Sequence, residues 1–375
     1  MVPFIIAVSA ALQVPLILAA GALVGHPGLV AGFALVLTGG FVFSLMGPRG
    51  IWGDPGRASL YLVLWPFFVW WTLAIFAALL TPVALLAWAV LPVSTPAVLA
   101  SGLGLAAVGA AAGLAQRPRV RQHVVQIEGL PVAFDGYRVA HISDLHCGPF
   151  ASGTRVAGWV ATVNGLGADL VAVTGDLIAS GAAFVPVVAG ALGKLRAPDG
   201  VFACMGNHDY FTDGEALVRA LEGAGLTVLR NRGVNVRRKE GALHVAGVDD
   251  TWTRKADVRQ ALAGRPAATP VVLLAHDPDL FPEAAERGVD LTLSGHTHGG
   301  QLGLPLFARR VNLARVTTRF TSGYYRLGMS TLYVNRGLGT TGPPVRVGVP
   351  AEIVVFTLRV AEAGAGRRAR RAGRG

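Results

Sequence analysis

The first third of the chain contains almost no charged residues, and this feature constrains the fold most strongly. Residues 1–48 and 58–116 include no Lys, Arg, Asp or Glu. Only three charged residues separate the two stretches: Arg49, Asp54 and Arg57. A water-soluble domain cannot keep so long a segment uncharged, whereas the interior of a lipid bilayer requires it. We therefore predict an all-α transmembrane region over residues 1–116.

Turns and prolines divide this region into about four helices. We expect them at residues 3–25, 29–46, 60–90 and 97–115. The third apolar stretch is longer than one straight span needs. We interpret it as a tilted or kinked helix from about Leu60 to Leu80, followed by an apolar extension along the interface. The first helix lacks a basic start and a clear cleavage site, which favours a retained helix over a signal peptide.

Arginines at the ends of the spans predict the orientation in the membrane. With four spans, one side holds the amino terminus, the loop around Arg49 and the flank that contains Arg117, Arg119 and Arg121. The positive-inside rule then predicts a multi-pass protein of the cell membrane whose second domain faces the cytoplasm. If the third stretch crossed the membrane twice, that domain would instead be extracytoplasmic.

The remaining two thirds of the chain has the polarity of a soluble domain, which we assign to residues 117–360. Strand-like and helical segments alternate in it and predict an α/β fold. Five apolar, β-branched runs each end next to an Asp, Asn or His; they are residues 138–142, 170–174, 201–205, 271–274 and 289–293. In open α/β sheets, ligand sites lie at the carboxyl ends of the strands. We therefore expect the polar groups that follow these runs to converge.

These polar groups are rich in side chains that bind metals. They are Asp144-Leu145-His146, Gly175-Asp176, Gly206-Asn207-His208-Asp209, Ala275-His276 and Gly295-His296-Thr297-His298. Taken singly, each is better explained by a polar turn, a cap or a buried histidine. Taken together and in this order, they favour a metal site. The neighbouring glycines allow the backbone to come close to a bound ion.

The ordered set resembles the motifs of the calcineurin-like metallophosphoesterase superfamily. The Gly-His-Thr-His-Gly-Gly-Gln form at residues 295–301, with residues 333–339 downstream, is similar to its bacterial membrane-anchored branch. The resemblance covers about residues 122–360. It implies two mixed β-sheets packed face to face with helices outside. The implied activity is metal-dependent phosphoester hydrolysis, as a phosphatase or phosphodiesterase, in which a metal-activated hydroxide attacks phosphorus.

The resemblance also implies a role for each residue. The ligands of the first ion are Asp144, His146 and His298. The ligands of the second are Asn207, His276 and His296. Asp176 bridges both, and mixed nitrogen and oxygen ligands suit two divalent or trivalent ions of Mn, Fe or Zn. His208 matches the family's non-ligand histidine, which protonates the leaving oxygen or stabilises phosphoryl charge.

Two positions need separate comment. Many members of the superfamily carry an Asp three residues after the bridging Asp, as a partner of the catalytic histidine, but this chain has Ala179 there. Asp209, adjacent to His208, is an alternative partner, although neighbours in sequence rarely face each other. Arg309 and Arg310 follow the Gly-Gly-Gln turn, and we predict that they bind substrate, because arginines suit phosphates; lipid headgroups or a solvated loop are the alternatives.

The net charge of +11 comes mostly from arginine. Residues 361–375 are predicted to form a basic disordered tail that suits an anionic membrane surface. The charge also raises a nuclease-type phosphodiesterase as an alternative. No basic groove with interleaved aromatic residues is visible, which disfavours nucleic acid as a partner. We expect a phosphorylated small molecule or a lipid-linked substrate.

A second alternative is a function without catalysis. The chain could be a non-catalytic membrane scaffold with a vestigial metal site, and loss of any ligand would favour that hypothesis. No ligand is lost, and only Ala179 points in that direction. A transporter is disfavoured, because no ionisable residue lies within the spans.

Overall fold

The computed structural model describes residues 2–46, 56–115, 117–211, 213–304 and 307–361. Residue contacts divide the chain into two compact units. The first comprises Met1–Gln116 with Gly342–Val345, and the second comprises Arg117–Thr341 with Arg346–Gly375. The predicted loop around Arg49 and the predicted basic tail beyond Ala361 lie outside the described residues.

Long apolar helices and one short helix make up most of the first unit. They are α1 (Val2–Val24), α2 (Pro27–Met46), the short α3 (Gly56–Ser59), α4 (Trp65–Val90) and α5 (Thr95–Leu114), with a π-helical turn at Leu60–Leu64 between α3 and α4. Among the described residues, four segments are long and apolar enough to cross a bilayer: Ile6–Val24, Pro27–Ser44, Leu60–Val90 and Thr95–Leu114. This result agrees with the prediction of a multi-helix membrane protein.

The span expected at residues 60–90 is one continuous apolar segment, Leu60–Val90, so the interpretation of a helix that ends near Leu80 with an extension along the interface is wrong. Helix α4 continues through Pro82 to Val90. Lipid offers no hydrogen bonds to the backbone, so a chain in the membrane keeps its helical bonds on both sides of a proline. The hydroxyl of Thr81 donates to the carbonyl of Ala77 at 2.8 Å and supplies a further bond in this turn.

A polar cluster joins three of the membrane helices. Gln13 on α1 is buried, and its Nε2 donates to the carbonyl of Ser9 at 3.1 Å and lies 3.2 Å from Oγ1 of Thr38 on α2. Its Oε1 accepts a hydrogen bond from the indole of Trp70 on α4 at 2.8 Å. In an apolar environment, such bonds between helices stabilise their packing. The cluster therefore fixes α1, α2 and α4 against one another.

In the part of the second unit that the structure describes, twelve strands form the framework. In chain order they are β1 (Arg119–Ile127), β2 (Arg138–Ile142), β3 (Leu170–Thr174), β4 (Val201–Cys204), β5 (Thr227–Val228), β6 (Arg232–Arg238), β7 (Gly241–Gly247), β8 (Val271–Leu274), β9 (Leu291–Ser294), β10 (Gly323–Leu327), β11 (Ser330–Val334) and β12 (Glu352–Val360). One sheet has the order β1-β12-β2-β3-β4-β5, and the other has the order β10-β11-β9-β8-β7-β6. Both sheets are mixed, because β12–β2, β6–β7 and β10–β11 are antiparallel and the remaining pairs are parallel.

Helices cover the outer faces of the two sheets. They are α6 (Gly153–Asn164), α7 (Val185–Leu192) and α8 (Gly214–Gly223) on the first sheet, with α9 (Val258–Ala261) and α10 (Phe281–Glu286) on the second. Between the sheets, Leu170 and Phe202 of the first pack with Val272 and Leu293 of the second in one buried core. The predicted fold class, apolar helices followed by two facing mixed sheets, is confirmed.

The five apolar runs of the sequence correspond to β2, β3, β4, β8 and β9, and they belong to two sheets rather than one. Strands β2, β3 and β4 are parallel neighbours in the first sheet, and β8 and β9 are parallel neighbours in the second. Their carboxyl ends meet at one end of the sandwich. Strand β1 lies at the edge of its sheet.

Candidate metal centre

The loops at these carboxyl ends carry all the predicted metal ligands. They are Asp144 and His146 after β2, Asp176 after β3, Asn207 after β4, His276 after β8, and His296 and His298 after β9. Each strand is buried along its length, so the first residues beyond its end are the first that are free to point into the site.

Five of these residues have a left-handed backbone conformation. Their φ angles are 52° at Asp144, 45° at His146, 51° at Asp176, 71° at His296 and 51° at His298. This conformation is costly for residues with a Cβ, by about 1–3 kcal/mol each in strained sites. Strain of this kind persists where the surrounding fold enforces it, and here it turns the side chains toward a common point.

Two glycines allow the loops to approach each other so closely. A Cβ on Gly295 would overlap the hydroxyl of Ser143 and the carboxylate of Asp144. A Cβ on Gly206 would overlap the carboxylate of Asp176 and lie 2.9 Å from Nε2 of His276. The glycines in the sequence motifs are therefore required by close packing.

The first group of ligand atoms belongs to Asp144, His146, Asp176 and His298, and the atoms lie within 4.8 Å of one another. Nε2 of His146 lies 3.0 Å from Nε2 of His298 and 3.4 Å from Oδ2 of Asp176. Nε2 of His298 lies 3.4 Å from Oδ1 of Asp144. Burial lowers the pKa of His146 to about 3 and holds the pKa of His298 well below its ordinary value. Both imidazoles are therefore neutral and can offer a lone pair to a metal.

The second group belongs to Asp176, His276 and His296, so Asp176 is shared by both. Nε2 of His276 lies 3.3 Å from Oδ2 of Asp176 and 3.3 Å from Nδ1 of His296. Oδ1 of Asn207 lies 3.0 Å from the same Nδ1. Nδ1 of His276 lies 2.8 Å from the carbonyl oxygen of Thr174, which can only accept a hydrogen bond. This contact directs Nε2 of His276 toward the cluster, as outer partners of metal-binding histidines do.

Additional positive charge would stabilise the buried carboxylates of the cluster. Burial raises the pKa of Asp144 to about 7, so the protein alone does not fully stabilise this carboxylate. Burial lowers the pKa of His276, but the carboxylates of Asp176 and Asp144 outweigh burial and hold this pKa well above its ordinary value. A bound cation would stabilise both carboxylates and replace the proton of His276. Carboxylate, amide and imidazole donors together fit transition-metal ions.

His208 lies beside the first group and is fixed by two hydrogen bonds. Its ring centroid lies 4.6 Å from that of His146, and its backbone N–H donates to Oδ1 of Asp176 at 2.9 Å. Its Nδ1 lies 2.9 Å from the carbonyl oxygen of Ala179. Because a carbonyl only accepts hydrogen bonds, Nδ1 carries a proton and Nε2 is directed elsewhere. A main-chain oxygen of residue 179 therefore partners the histidine where the superfamily pattern has a carboxylate.

The alternative that Asp209 partners His208 is wrong. Oδ1 of Asp209 accepts hydrogen bonds from the backbone N–H groups of Leu177 at 2.8 Å and Ile178 at 3.3 Å. Its Oδ2 accepts from the N–H of Gly206 at 2.9 Å. Asp209 is fully buried and joins the loops after β3 and β4, so its role is to hold the ligand loops together.

Thr341 is a polar residue of the site that sequence analysis missed. Its Oγ1 lies 3.0 Å from Nε2 of His146 and 2.9 Å from Nε2 of His298. The side-chain amide of Gln301 holds the backbone of Thr341 in place, since Nε2 donates to its carbonyl at 3.2 Å and Oε1 accepts from its N–H at 2.9 Å. Gln301 belongs to the histidine motif, but no pattern marks Thr341, which lies 40 residues further along the chain.

Arg346 is a second residue that sequence analysis missed. Its guanidinium is buried behind His298, with Nη2 3.4 Å from Nδ1 and Nη1 3.4 Å from the carbonyl oxygen of that residue. Nη2 also donates to the carbonyl of Gly337 at 3.1 Å. Burial lowers the pKa of Arg346 to about 10, so it remains charged at neutral pH. No sequence pattern predicted a role for Arg346, because it is a single arginine in an apolar stretch.

Arg309 and Arg310 are exposed on a separate segment. Nη2 of Arg309 donates to the carbonyl of Tyr324 at 3.3 Å. Within the described part of the chain, neither arginine forms a hydrogen bond or ion pair with the ligand groups. Their role in substrate binding stays a prediction.

Comparisons with known proteins agree with this geometry. The model of the calcineurin-like phosphoesterase family matches residues 137–300. The chain is 33% identical over 242 residues to the uncharacterized metallophosphoesterase YkuE of Bacillus subtilis, covering 64% of this chain and 84% of that protein. It is 35% identical over 261 residues to a transmembrane protein with metallophosphoesterase domain from Danio rerio, covering 66% of this chain and 59% of that protein. An Aquifex aeolicus metallophosphoesterase is 30% identical, with 64% of this chain and 92% of that protein covered. These similarities, added to the convergent ligands, establish that the chain belongs to the calcineurin-like phosphoesterase family.

Proposed function

We propose that this protein is a membrane-anchored phosphoester hydrolase that uses two metal ions. The observation that carries the proposal is the shared carboxylate of Asp176. Its Oδ2 lies 3.4 Å from Nε2 of His146 and 3.3 Å from Nε2 of His276, so two groups of ligand atoms meet at one oxygen. A carboxylate with a ligand histidine on each side suits the bridging position between two ions.

The two groups divide the ligands as follows. Asp144, His146, Asp176 and His298 would hold the first ion. Asp176, Asn207, His276 and His296 would hold the second. Mn, Fe or Zn suits such mixed donors better than Ca or Mg. When bound, two such ions supply Lewis-acid activation of water and neutralise charge on the phosphoryl oxygens.

Residues beside the ligands perform the remaining tasks. His208 donates a proton from Nε2 to the leaving oxygen, while the carbonyl of Ala179 holds its ring in orientation. Thr341 is exposed and its hydroxyl lies against Nε2 of His146 and of His298, where it can donate a hydrogen bond to a phosphoryl oxygen. The substrate is a phosphorylated small molecule or a lipid-linked phosphate, with Arg309 and Arg310 as candidate contacts.

We further propose that the catalytic unit faces the cytoplasm. The continuous helix through Pro82 supports a single crossing by the third span and hence an even number of spans. Arg117, Arg119 and Arg121 directly follow the last span, which the positive-inside rule assigns to the cytoplasmic side. Reporter fusions after Arg121 test this orientation, and an active periplasmic-type reporter there would contradict it.

The proposed activity is tested with a substrate panel on the detergent-solubilised full-length protein supplied with Mn²⁺. The panel contains phosphate monoesters, phosphate diesters, lipid-linked phosphates and nucleic acids. Hydrolysis should occur in at least one class and be lost in Asp176→Asn. The matched control is Asp257→Asn, which alters an exposed cap of α9 and should keep full activity. Cleavage of nucleic acids alone would indicate a nuclease, and a metal-loaded protein inactive on every class would indicate a scaffold.

A further inference from the structure

We propose that residues 307–319 form a docking surface for an anionic lipid bilayer beside the metal centre. This segment, called here the basic–apolar segment, combines exposed apolar side chains with arginines. Phe307, Val311, Leu313 and Val316 are between 54% and 86% exposed. The basic residues are Arg309, Arg310, Arg315 and Arg319. Single exposed apolar residues are ordinary, but four within ten residues form a patch that marks an interaction site.

The exposed apolar side chains belong to a well-bonded segment. The N–H of Val311 donates to the carbonyl of Phe307 at 2.9 Å, and Nδ2 of Asn312 donates to the carbonyl of Ala308 at 2.7 Å. At the far end, Oγ1 of Thr318 donates to Oδ1 of Asp279 at 2.6 Å. These bonds hold the turn and the single helical turn Leu313–Val316 that follows it, so the apolar side chains remain exposed to solvent.

The charges of the segment lack acidic partners. In the described part of the chain, none of its four arginines forms an ion pair with a carboxylate. Arg309 bonds a carbonyl, and the guanidinium of Arg319 lies 4.8 Å from the ring centroid of Phe320. Arginines interleaved with Phe, Leu and Val match the anionic headgroups and the acyl boundary of a bilayer interface.

A bilayer is favoured over an acidic protein by the length of the linker. Helix α5 ends at Leu114 and strand β1 begins at Arg119. The residues between them can span at most about 20 Å. A domain tethered this closely to a membrane-spanning helix meets the lipid surface at high effective concentration, so weak contacts are sufficient for docking.

The basic–apolar segment is attached directly to the loop that carries the ligand histidines. The N–H of Leu313 donates to the carbonyl of Leu302 at 3.3 Å. A Cβ on Gly300, two residues after His298, would lie 2.6 Å from Oδ1 of Asn312. Docking of this segment would therefore hold the edge of the metal centre at the lipid interface.

The test uses the full-length protein in proteoliposomes with an environment-sensitive fluorophore on Val316→Cys. Val132→Cys is the matched control, because the two valines are 86% and 84% exposed on the same unit. The native Cys147 and Cys204 are fully buried, so labelling selects the introduced thiol. Nitroxide-labelled lipids should quench the probe at residue 316 and leave the probe at residue 132 nearly unquenched. Anionic lipid should strengthen the quenching, and salt should weaken it.

Removing charge from the segment provides the second arm. Arg310→Gln with Arg315→Gln should weaken docking by roughly 25-fold, since each basic residue contributes about fivefold at an anionic surface. In the double variant, quenching should therefore be lost at a lower salt concentration than in the unaltered protein. Arg237→Gln with Arg259→Gln, on exposed residues elsewhere, should leave quenching unchanged.

Equal quenching at residues 316 and 132, or none at residue 316 in anionic vesicles, would overturn the proposal. The latter result would point to an acidic macromolecule instead. The readout does not depend on hydrolysis, so it can fail or succeed separately from the proposed activity.

Discussion

Nδ1 of His208 lies 2.9 Å from the carbonyl oxygen of Ala179. This contact explains how the chain keeps an oriented histidine without the carboxylate that the superfamily pattern has at residue 179. A carbonyl oxygen holds the ring and its tautomer but adds no negative charge. For His208 as the proposed proton donor, residue 179 therefore supplies orientation but no negative charge.

Replacement of His208 should affect substrates according to their leaving groups. His208→Ala should slow hydrolysis of an alkyl phosphate by about 10²- to 10⁴-fold, because its leaving oxygen needs a proton. The rate of hydrolysis of a nitrophenyl ester should fall much less, because nitrophenolate leaves without being protonated. Kinetics on the two substrates measure this difference, and unchanged metal content serves as the control. Equal losses would show that His208 is not the proton donor.

Replacement of Thr341 tests the hydroxyl that lies against two ligand histidines. Thr341→Val keeps the shape of the side chain and removes a donor 3.0 Å from Nε2 of His146 and 2.9 Å from Nε2 of His298. If this donor binds a phosphoryl oxygen, kcat/KM should fall on the order of 10²-fold. Thr341→Ser restores the hydroxyl and should recover most of the rate. Full activity in Thr341→Val would exclude this role.

The ligand positions could be predicted from sequence because each follows an apolar strand within a few residues. Asp144, Asp176 and His276 are fixed by strand ends that the β-branched runs already mark. Thr341 and Arg346 could not be predicted in this way. They reach the site from a long loop between β11 and β12, and their contacts depend on tertiary packing that leaves no local pattern. The family resemblance implied two sheets, but it did not say how the five runs are divided between them; the structure places three in one sheet and two in the other.

Metal affinity should depend on pH through Asp144. Burial raises the pKa of this carboxyl to about 7, so below that pH a metal must first displace its proton, and above that pH it need not. Affinity should therefore fall as the pH drops through this value, by up to about tenfold per unit. Calorimetry in buffers of different ionisation enthalpy should detect about one more proton released per chain at about pH 6 than at about pH 8. Proton release that is the same at both pH values would contradict the assignment of Asp144 as a ligand.

The polar cluster of the membrane helices should contribute to their stability. Gln13→Leu removes the contacts with Thr38 and Trp70 and should cost about 1 kcal/mol. The control is Thr81→Val, because that hydroxyl bonds only a carbonyl of its own helix among the described contacts. Unfolding in denaturing detergent compares the two variants. A Gln13→Leu protein at least as stable as the control would contradict the packing role.

The course of the third membrane helix shows what composition can and cannot predict. The absence of charge was sufficient to identify the span, since nothing but lipid tolerates it. Its end was misjudged at Leu80, because the tendency of Pro82 to break a helix was given more weight than the need of a lipid-embedded backbone for internal hydrogen bonds. Indeed, α4 ends at Val90.

The most direct test of the central claim is the metal content of the purified full-length protein and of Asp176→Asn, measured by elemental analysis. A carboxylate shared between two groups of ligand atoms should support two transition-metal ions per chain, and its amide should lose most of both. Asp257→Asn, with a surface carboxylate removed, should keep the full content. Two ions in the unaltered protein and a marked loss in Asp176→Asn would support the account. Full metal content in Asp176→Asn, or a wild-type chain that binds no ion when metal is supplied, would contradict it.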